Sequence, residues 1–285
     1  CGIFGYVGPK NASQVVLEGL KRLEYRGYDS WGIAIVADEI KVNKQVGSIG
    51  DLSSSVNLPG STIGIGHTRW ATHGGITETN AHPHLSSDKT FALAQNGIVE
   101  NYQELKNSLI KKGYKFQTET DTEVIVKLIE DKLKSKKDLL DAVRNAFLEL
   151  NGRNTIIILT KDSRLIAARN GSPLVVGVKQ ATGEIFFSSD TLSFAPFTDK
   201  VLIVDNGQMV LSKKGLVELF DIKSGKIIPY KLEKIDFETS KVDKEGYDHF
   251  MLKEIRESPY VVNQIVNQDV NVYLDFAKVL KEAEN

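Results

Sequence analysis

The first residue of the chain is its only cysteine, so one residue carries both a thiol and a free α-amino group. An α-amino group ordinarily titrates near pH ~8, so part of it is an unprotonated base at neutral pH. The thiol can pass its proton to that amine directly or through one water. Cys1 is therefore predicted to be a nucleophile that carries its own base, exposed by removal of an initiator methionine. The alternative is an inert terminus that reflects only where the numbering begins.

Two further residues could stabilise the oxyanion that forms when an amide is attacked. Acyl transfer needs hydrogen-bond donors aimed at this developing charge. Asn96 and Gly97 follow the run FALAQ at a turn, where Asn96 can project its NH2 group and Gly97 can present its N–H with no Cβ in the way. On its own, an Asn-Gly pair is more simply interpreted as an ordinary turn.

An amino-acid substrate would need a cation for its carboxylate and an anion for its ammonium group. Arg69 and Asp121 are the candidates for these two roles. Arg69 ends the run IGIGHTR, and Asp121 stands at the start of a predicted helix, where its simpler role would be to cap that helix. Each residue is ambiguous alone, but the pair would suit a free amino acid.

Histidines are concentrated in one region, at His67, His73, His82 and His84. Alternation across Pro83 could put the rings of His82 and His84 on one face, which makes a metal site thinkable. No third and fourth ligand stands at a familiar spacing, and the only thiol is at the terminus. The sequence therefore predicts neither a metal nor a cofactor.

The elements that must position these residues follow from hydrophobic periodicity and turn residues. Strands are predicted over residues 1–8, 32–37, 40–46, 63–70 and 91–96, and helices over residues 11–23, 102–112, 121–133 and 139–150. Thr120 and Glu123 form a capping-box pattern at the start of the third helix. After residue 155, further strands recur at intervals of about ten residues. This order predicts an α+β domain in which helices cover two sheets.

The composition excludes several classes of protein. The 285 residues carry 36 Lys and Arg against 37 Asp and Glu, so the net charge of −1 gives no sign of a nucleic-acid or anionic membrane partner. No apolar run approaches the roughly 18 residues of a membrane span, and no signal-peptide pattern opens the chain. Together with the single cysteine, these features predict a cytoplasmic protein without an intramolecular disulfide.

Several longer motifs occur in the order and at the approximate spacings of a known enzyme family. They are CGIFGYVG, RLEYRGYDSWGIA, HTRWATHGG, NAHPH, NGIVENY, ETDTEV and GSPLVVG. On these motifs, residues 1–240 resemble the N-terminal glutaminase half of the glutamine:fructose-6-phosphate amidotransferases, or glucosamine-6-phosphate synthases, within the class II N-terminal-nucleophile amidotransferases. The related amidophosphoribosyltransferases of purine synthesis share the N-terminal cysteine but typically have a Tyr-Ser pair in place of Trp70-Ala71.

The resemblance implies a four-layer αββα sandwich of the N-terminal-nucleophile hydrolase type. Cys1 would be the nucleophile that forms a thioester, with its own amine as the general base. Asn96 and Gly97 match the family's oxyanion hole. Arg69 matches the residue that holds the substrate carboxylate, and Asp121 the residue that holds its ammonium group.

The resemblance also extends to residues around this centre. Four residues match family positions that contact the substrate, on or near the loop that closes over glutamine. They are Trp70, Thr72, His73 and His82. One further motif packs near the terminus in the family, and it could equally be structural support. Its residues are Tyr25, Arg26, Tyr28 and Asp29.

Residues 1–240 are thus predicted to form a glutaminase domain that supplies ammonia for the synthesis of glucosamine 6-phosphate from fructose 6-phosphate. Residues 241–285 are predicted to be a linker and the start of a sugar-isomerase region. The sugar-isomerase domains would lie beyond this chain. A homodimer could form through these domains. We therefore expect the chain alone to make no amino sugar, because its nearest phosphate-cradle candidate, the serine run 53–55, is too short.

Two other functions remain open at this point. A non-catalytic glutamine-binding module needs no nucleophile, so Cys1, Asn96 and Gly97 count against it. An N-terminal cysteine hydrolase of another amide would share the mechanism, but it has no need for the pair Arg69 and Asp121. Release of ammonia and glutamate from glutamine, with asparagine as the control, separates these functions.

Overall fold

The protein is described by a computed structural model that covers residues 1–50, 56–136, 138–213, 215–235, 245–248 and 250–283. Two compact units are present, Cys1–Thr239 and Ser240–Asn285. The serine run 53–55, the weak candidate for a phosphate cradle, lies outside the described residues.

The first unit combines short strands with four helices in its described part. The strands are β1 (Gly2–Val7), β2 (Ser30–Val36), β3 (Ile40–Val46), β4 (Ile63–Arg69), β5 (His84–Leu85), β6 (Phe91–Gly97), β7 (Asn154–Thr160), β8 (Arg164–Asn170), β9 (Val175–Lys179), β10 (Glu184–Ser188), β11 (Lys200–Ile203), β12 (Gln208–Lys213), β13 (Leu216–Asp221), β14 (Ile227–Ile228) and β15 (Glu233–Lys234). The helices are α1 (Ala12–Arg22), α2 (Tyr102–Lys111), α3 (Thr122–Leu133) and α4 (Leu139–Phe147).

The strands form two sheets. Eight strands lie in the order β15-β11-β9-β10-β1-β4-β2-β3, and seven lie in the order β14-β13-β12-β8-β7-β6-β5. Neighbouring strands are antiparallel, including β1 with β4 and β6 with β7. This order places β1 and β4 side by side in the first sheet and β6 near one edge of the second.

The alternation of side chains along each strand explains how both faces of a sheet become buried. On β7, Ile156 and Ile158 pack in an apolar cluster with residues of α2, α3 and α4. Ile157 and Leu159, which point the other way, pack in a second cluster with residues of the opposite sheet. A continuously apolar strand is therefore a strand between two layers.

The apolar clusters define four layers. Helices α2–α4 cover the seven-stranded sheet, the two sheets pack face to face, and α1 covers the eight-stranded sheet. Gly66 on β4 lets α1 come close, because a Cβ at this position would lie 2.6 Å from Cγ1 of Val16. The predicted αββα sandwich is confirmed.

Most of the predicted elements lie within a few residues of the observed ones. The helix predicted over residues 139–150 ends earlier, at Phe147. Strand β5 was not predicted from the sequence, because a two-residue strand is too short to show a pattern. Strand β13, which is stabilised by pairing with β12 along its whole length, was not predicted either.

The capping box predicted at the start of α3 is only half formed. The Glu123 N–H lies 3.4 Å from Oγ1 of Thr120, as the pattern requires. The Glu123 carboxylate, however, accepts hydrogen bonds from the N–H groups of Gln117 at 3.0 Å and Thr118 at 2.7 Å. The chain before α3 folds back over the first turn, so the carboxylate stabilises that loop instead of the Thr120 N–H.

The second unit contains two helices in its described residues, α5 (Phe250–Val266) and α6 (Val270–Ala283). Many of their apolar side chains are exposed, including Ile255, Val266 and Phe276. Across the described parts of the whole chain, no helix combines the length and apolar character that crossing a membrane requires.

Candidate active site

The two sheets bring distant segments of the chain to one pocket. Gly2 pairs with Thr68, so Cys1 lies beside the end of β4 at Arg69, while β6 of the other sheet ends at Gly97. The pocket is lined by Cys1, Arg69, Trp70, Thr72, His73, His82, Gln95, Gly97, Thr120, Asp121 and Thr122. Of the catalytic and substrate-binding residues predicted from the sequence, Asn96 is outside this lining. The predicted supporting motif, which includes Arg26, is outside it as well.

Arg26 fixes the position of the chain terminus through two hydrogen bonds. The Cys1 amino group donates to the Arg26 carbonyl oxygen, and Arg26 Nε donates to the Cys1 carbonyl oxygen at 3.1 Å. Asp190 completes the support, because its Oδ2 accepts from the Tyr25 hydroxyl at 2.5 Å and lies 3.6 Å from Nη1 of Arg26. The structure thus places Tyr25 and Arg26 around the terminus, and Asp190 is a supporting residue that the sequence analysis missed.

The thiol of Cys1 lies against the backbone at the end of β4. The Trp70 N–H donates to Cys1 Sγ at 3.2 Å, and the Cys1 thiol lies 3.5 Å from the Trp70 carbonyl oxygen, to which it can donate. The next N–H, that of Ala71, donates to Oδ2 of Asp29 at 2.9 Å and so holds this segment in place. The half-exposed Trp70 ring packs near Tyr28, with 6.1 Å between ring centroids.

The amino group of Cys1 is a neutral base at physiological pH. Burial lowers its pKa from 8.0 to about 5, the positive charge of Arg26 acts in the same direction, and the carboxylate of Asp29 opposes both. A buried amine beside a cation binds a proton poorly, so nearly all of the amine is unprotonated at pH 7. It can therefore accept a proton from the neighbouring thiol.

This pKa predicts the acid side of the pH profile. The kcat/KM for an amide substrate should stay level as pH falls from about 8 to 6 and should decrease below about pH 5, because protonation removes the base. Initial rates measured between about pH 4 and pH 9 test this, with circular dichroism at each pH to show that the chain is folded. An acid limb centred near pH 8, the ordinary value for a terminus, would contradict it.

Asn96 carries a buried amide donor that has no protein partner. Alternation along β6 turns its side chain into the space between the sheets, on the same face as Ala92 and Ala94. Its Oδ1 lies 3.1 Å from Nε2 of His67 on β4. Its Nδ2 is buried without a hydrogen-bond partner among the described residues. Because unpartnered buried donors are costly, this one is explained best by a ligand oxygen.

Gly97, the next residue, is required by the backbone of the strand end. Its φ is +111°, and a Cβ here would lie 1.8 Å from the carbonyl oxygen of Arg153. No other residue type fits without moving β7. The residue is exposed and lines the pocket, so its backbone is accessible to a ligand.

Three of the histidines, His67, His82 and His84, form a buried cluster. The ring centroids of His67 and His82 are 4.3 Å apart, and those of His82 and His84 are 4.9 Å apart. Burial lowers the pKa of all three, that of His67 to about 3, so the cluster is neutral. No group of His, Cys, Asp and Glu side chains suitable for a metal ion occurs among the residues that the structure describes.

The guanidinium of Arg69 is buried and joins β4 to the following loop. Nη1 donates to the Gly75 carbonyl at 3.1 Å, and Nη2 donates to the carbonyls of His73 at 2.5 Å and Gly74 at 3.3 Å. A guanidinium has five N–H donors, so these three bonds leave two for a ligand carboxylate. Arg69 thus couples the position of this loop to a pocket wall.

Asp121 is not a helix cap, although it directly precedes α3. Its side chain makes no capping hydrogen bond. Instead its Oδ2 accepts from the Val99 N–H at 2.8 Å, a buried bond that ties the start of α3 to the segment after β6. The carboxylate is therefore held in the pocket wall by a contact that leaves Oδ1 for a ligand.

The pocket also contains residues that sequence reasoning did not assign to it. Gln95 is buried, and its Oε1 accepts from the Thr122 hydroxyl at 2.5 Å while its Nε2 donates to Oδ1 of Asn154 at 2.8 Å. On the loop side, the His73 ring packs edge-on against Tyr102, with 4.9 Å between centroids. Proximity to Asn96 in the sequence could have pointed to Gln95, whereas the contact of His73 with Tyr102 has no sequence signal.

Comparison with known proteins shows which proteins this chain is similar to. The family profile described as a glutamine amidotransferase domain matches residues 67–195. Glutamine–fructose-6-phosphate aminotransferase (isomerizing) of Methanococcus maripaludis is 42% identical over 92% of this chain and 45% of its own length. The enzyme of the same name from Pyrococcus horikoshii is 42% identical over 98% of this chain and 47% of its own length.

A solved structure extends the comparison to the fold. Glutamine phosphoribosylpyrophosphate amidotransferase from B. subtilis superposes with a TM-score of 0.69 at 29% identity, covering 78% of this chain and 49% of that one. The chain spans about half the length of the curated relatives it matches. The chain therefore contains a glutamine amidotransferase domain and corresponds to an N-terminal glutaminase domain of the type found in glutamine–fructose-6-phosphate aminotransferases.

Proposed function

We propose that this chain hydrolyses the side-chain amide of glutamine to glutamate and ammonia through a thioester on Cys1. One observation carries the proposal: a single pocket is lined by Cys1, Arg69 and Asp121, which come from three distant segments. A nucleophile between a fixed cation and a fixed anion suits a zwitterionic amino acid whose side chain reaches the thiol.

The reaction proceeds in two halves. The neutral amine of Cys1 takes the thiol proton, sulfur attacks the side-chain carbonyl carbon of glutamine, and Nδ2 of Asn96 with the N–H of Gly97 stabilises the oxyanion. Collapse breaks the C–N bond, the proton moves from the amine to the leaving nitrogen, and ammonia departs. Water then gives a proton to the amine and attacks the thioester, and release of glutamate returns that proton to the thiolate.

The direct test is turnover with matched amides. Purified chain is incubated with glutamine, and both glutamate and ammonia are measured. Asparagine, which is one methylene shorter, is the control because it keeps the charges that Arg69 and Asp121 would bind but cannot reach the thiol. Turnover of glutamine with little of asparagine supports the proposal, and equal turnover of unrelated amides would support a hydrolase of another specificity.

The role of Asp121 can be tested without losing its structural bond. Asp121→Asn keeps an oxygen to accept from the Val99 N–H but removes the negative charge. Loss of one charge-assisted contact should raise the KM for glutamine by roughly 10–100-fold, with a smaller change in kcat. Asp131→Asn is the matched control on the same helix, since Asp131 pairs with Lys112 at the surface. An unchanged KM in Asp121→Asn would remove Asp121 from the substrate site.

The wider function is also part of the proposal. The relatives are named for a reaction between glutamine and fructose 6-phosphate, and this chain matches about half of each. We propose that its ammonia serves the synthesis of glucosamine 6-phosphate on sugar-isomerase domains, through which a homodimer could form. We assign the reaction to the cytoplasm, because a nucleophilic thiol has to remain reduced. A glutamine-binding module without catalysis is less favoured, since it gives no reason for a neutral amine beside the Cys1 thiol.

A further inference from the structure

The buried amide of Asn96 can adopt two orientations with opposite chemical consequences. In the observed orientation, Oδ1 faces Nε2 of His67 at 3.1 Å, and Nδ2 has no hydrogen-bond partner in the described part of the chain. Rotation of the amide by half a turn would present Oδ1, an acceptor, to the reacting centre. An acceptor there repels an oxyanion, whereas Nδ2 stabilises it. The proposed reaction therefore depends on what selects the orientation of this one amide.

The His67 ring is placed to make that selection. His67 lies on β4 and Asn96 on β6, so the contact crosses from one sheet to the other. Both side chains are buried, with 0% and 4% exposure, so water does not compete for the bond. The His82 ring packs against His67 at 4.3 Å and restricts its rotation.

We propose that His67 is a positioning residue for the oxyanion hole: its Nε2–H donates to Oδ1 of Asn96 and so holds Nδ2 toward the reacting carbonyl oxygen. This inference rests on the proposed glutaminase reaction. It requires the tautomer with the proton on Nε2, because an unprotonated Nε2 would instead accept from Nδ2 and favour the reversed amide.

The first experiment measures coupling between the two residues. His67→Leu removes the donor at similar volume and should lower kcat for glutamine roughly 10–100-fold with KM within a few fold. In an Asn96→Ala background, the same substitution should lower kcat by no more than about two-fold, since there is no amide left to orient. Equal effects of His67→Leu in both backgrounds would overturn the proposal.

A matched control distinguishes positioning from packing. His84 belongs to the same buried cluster, but its Nε2 pairs with Oγ1 of Thr120 at 3.0 Å instead of with Asn96. His84→Leu should therefore have the same effect on kcat with and without Asn96→Ala. Coupling of His84 to Asn96 as large as that of His67 would show that the effect belongs to the histidine cluster as a whole and would overturn the proposal.

A second measurement needs no substitution. Long-range proton–nitrogen correlation spectra of the histidine-labelled chain report which ring nitrogen of His67 is protonated. The His67 signals are assigned with His67→Leu or by comparison with His84→Leu. Protonated Nε2 is expected, and protonated Nδ1 would overturn the proposal even if His67→Leu fails to fold. If the proposed reaction itself is wrong, the wild-type chain will not turn over glutamine. In that case the tautomer of His67 still decides the orientation of the Asn96 amide.

Discussion

Replacing Cys1 with alanine is expected to abolish glutamine hydrolysis while glutamine binding stays within a few fold. The thiol supplies the attacking atom, whereas Arg69 and Asp121 would supply the main binding charges. Removing an activated nucleophile commonly costs roughly 10⁴–10⁶ in kcat. Turnover is measured as glutamate release, and binding as the heat of glutamine titration into the inactive variant.

The control for this prediction tests whether the α-amino group of Cys1 is needed. A chain that keeps a methionine before Cys1 retains the thiol but converts the amine to an amide, which cannot act as a base. This form should also be inactive, although its thiol still reacts with a small alkylating agent. Undiminished activity of the Met-extended chain would show that the amine is dispensable, and residual turnover by Cys1→Ala would end the assignment of the nucleophile.

Removing the amide of Asn96 should give the second largest effect. Asn96→Ala is expected to lower kcat for glutamine by roughly 10²–10³, with a much smaller change in KM. The reason is that Nδ2 meets a full negative charge only in the transition state and only a neutral carbonyl in the bound substrate.

Asn96→Asp is the shape-matched control. It preserves the volume and an oxygen that can accept from His67, but it has no Nδ2 and adds a negative charge next to the oxyanion. Its kcat should be at least as low as that of Asn96→Ala. A variant that raised KM at unchanged kcat would mean that Asn96 binds the ground state and does not form an oxyanion hole.

The layered fold could be predicted because its periodic elements are long. Helix α3 repeats an apolar face over three turns, and its predicted bounds differ from Thr122–Leu133 by one residue. Strands β3 and β6 were predicted from alternating or apolar runs that end at turn residues. In contrast, β5 has two residues and β13 depends on its partner strand, so neither has a signal of its own.

The chemistry of single residues could also be predicted, but their partners could not. An N-terminal cysteine carries a nucleophilic thiol and a basic amine on one residue, so both roles could be predicted from the sequence. The contact of Asp121 with the Val99 N–H and that of Asn96 with His67 join segments that meet only when the sheets pack. From the sequence, His67 was identified only as a member of a histidine cluster considered for a metal site. The spacing of the histidines gives no sign that the His67 ring contacts an amide on another strand.

The central claim is that Cys1 attacks a glutamine bound in this pocket. It is tested most directly with a glutamine analogue in which an electrophilic diazoketone replaces the side-chain amide. The account predicts one covalent adduct per chain, located at Cys1 by peptide mass spectrometry, whose formation is slowed by glutamine but not by asparagine. No adduct at Cys1, or labelling of Cys1 at a rate that glutamine does not affect, would contradict the account.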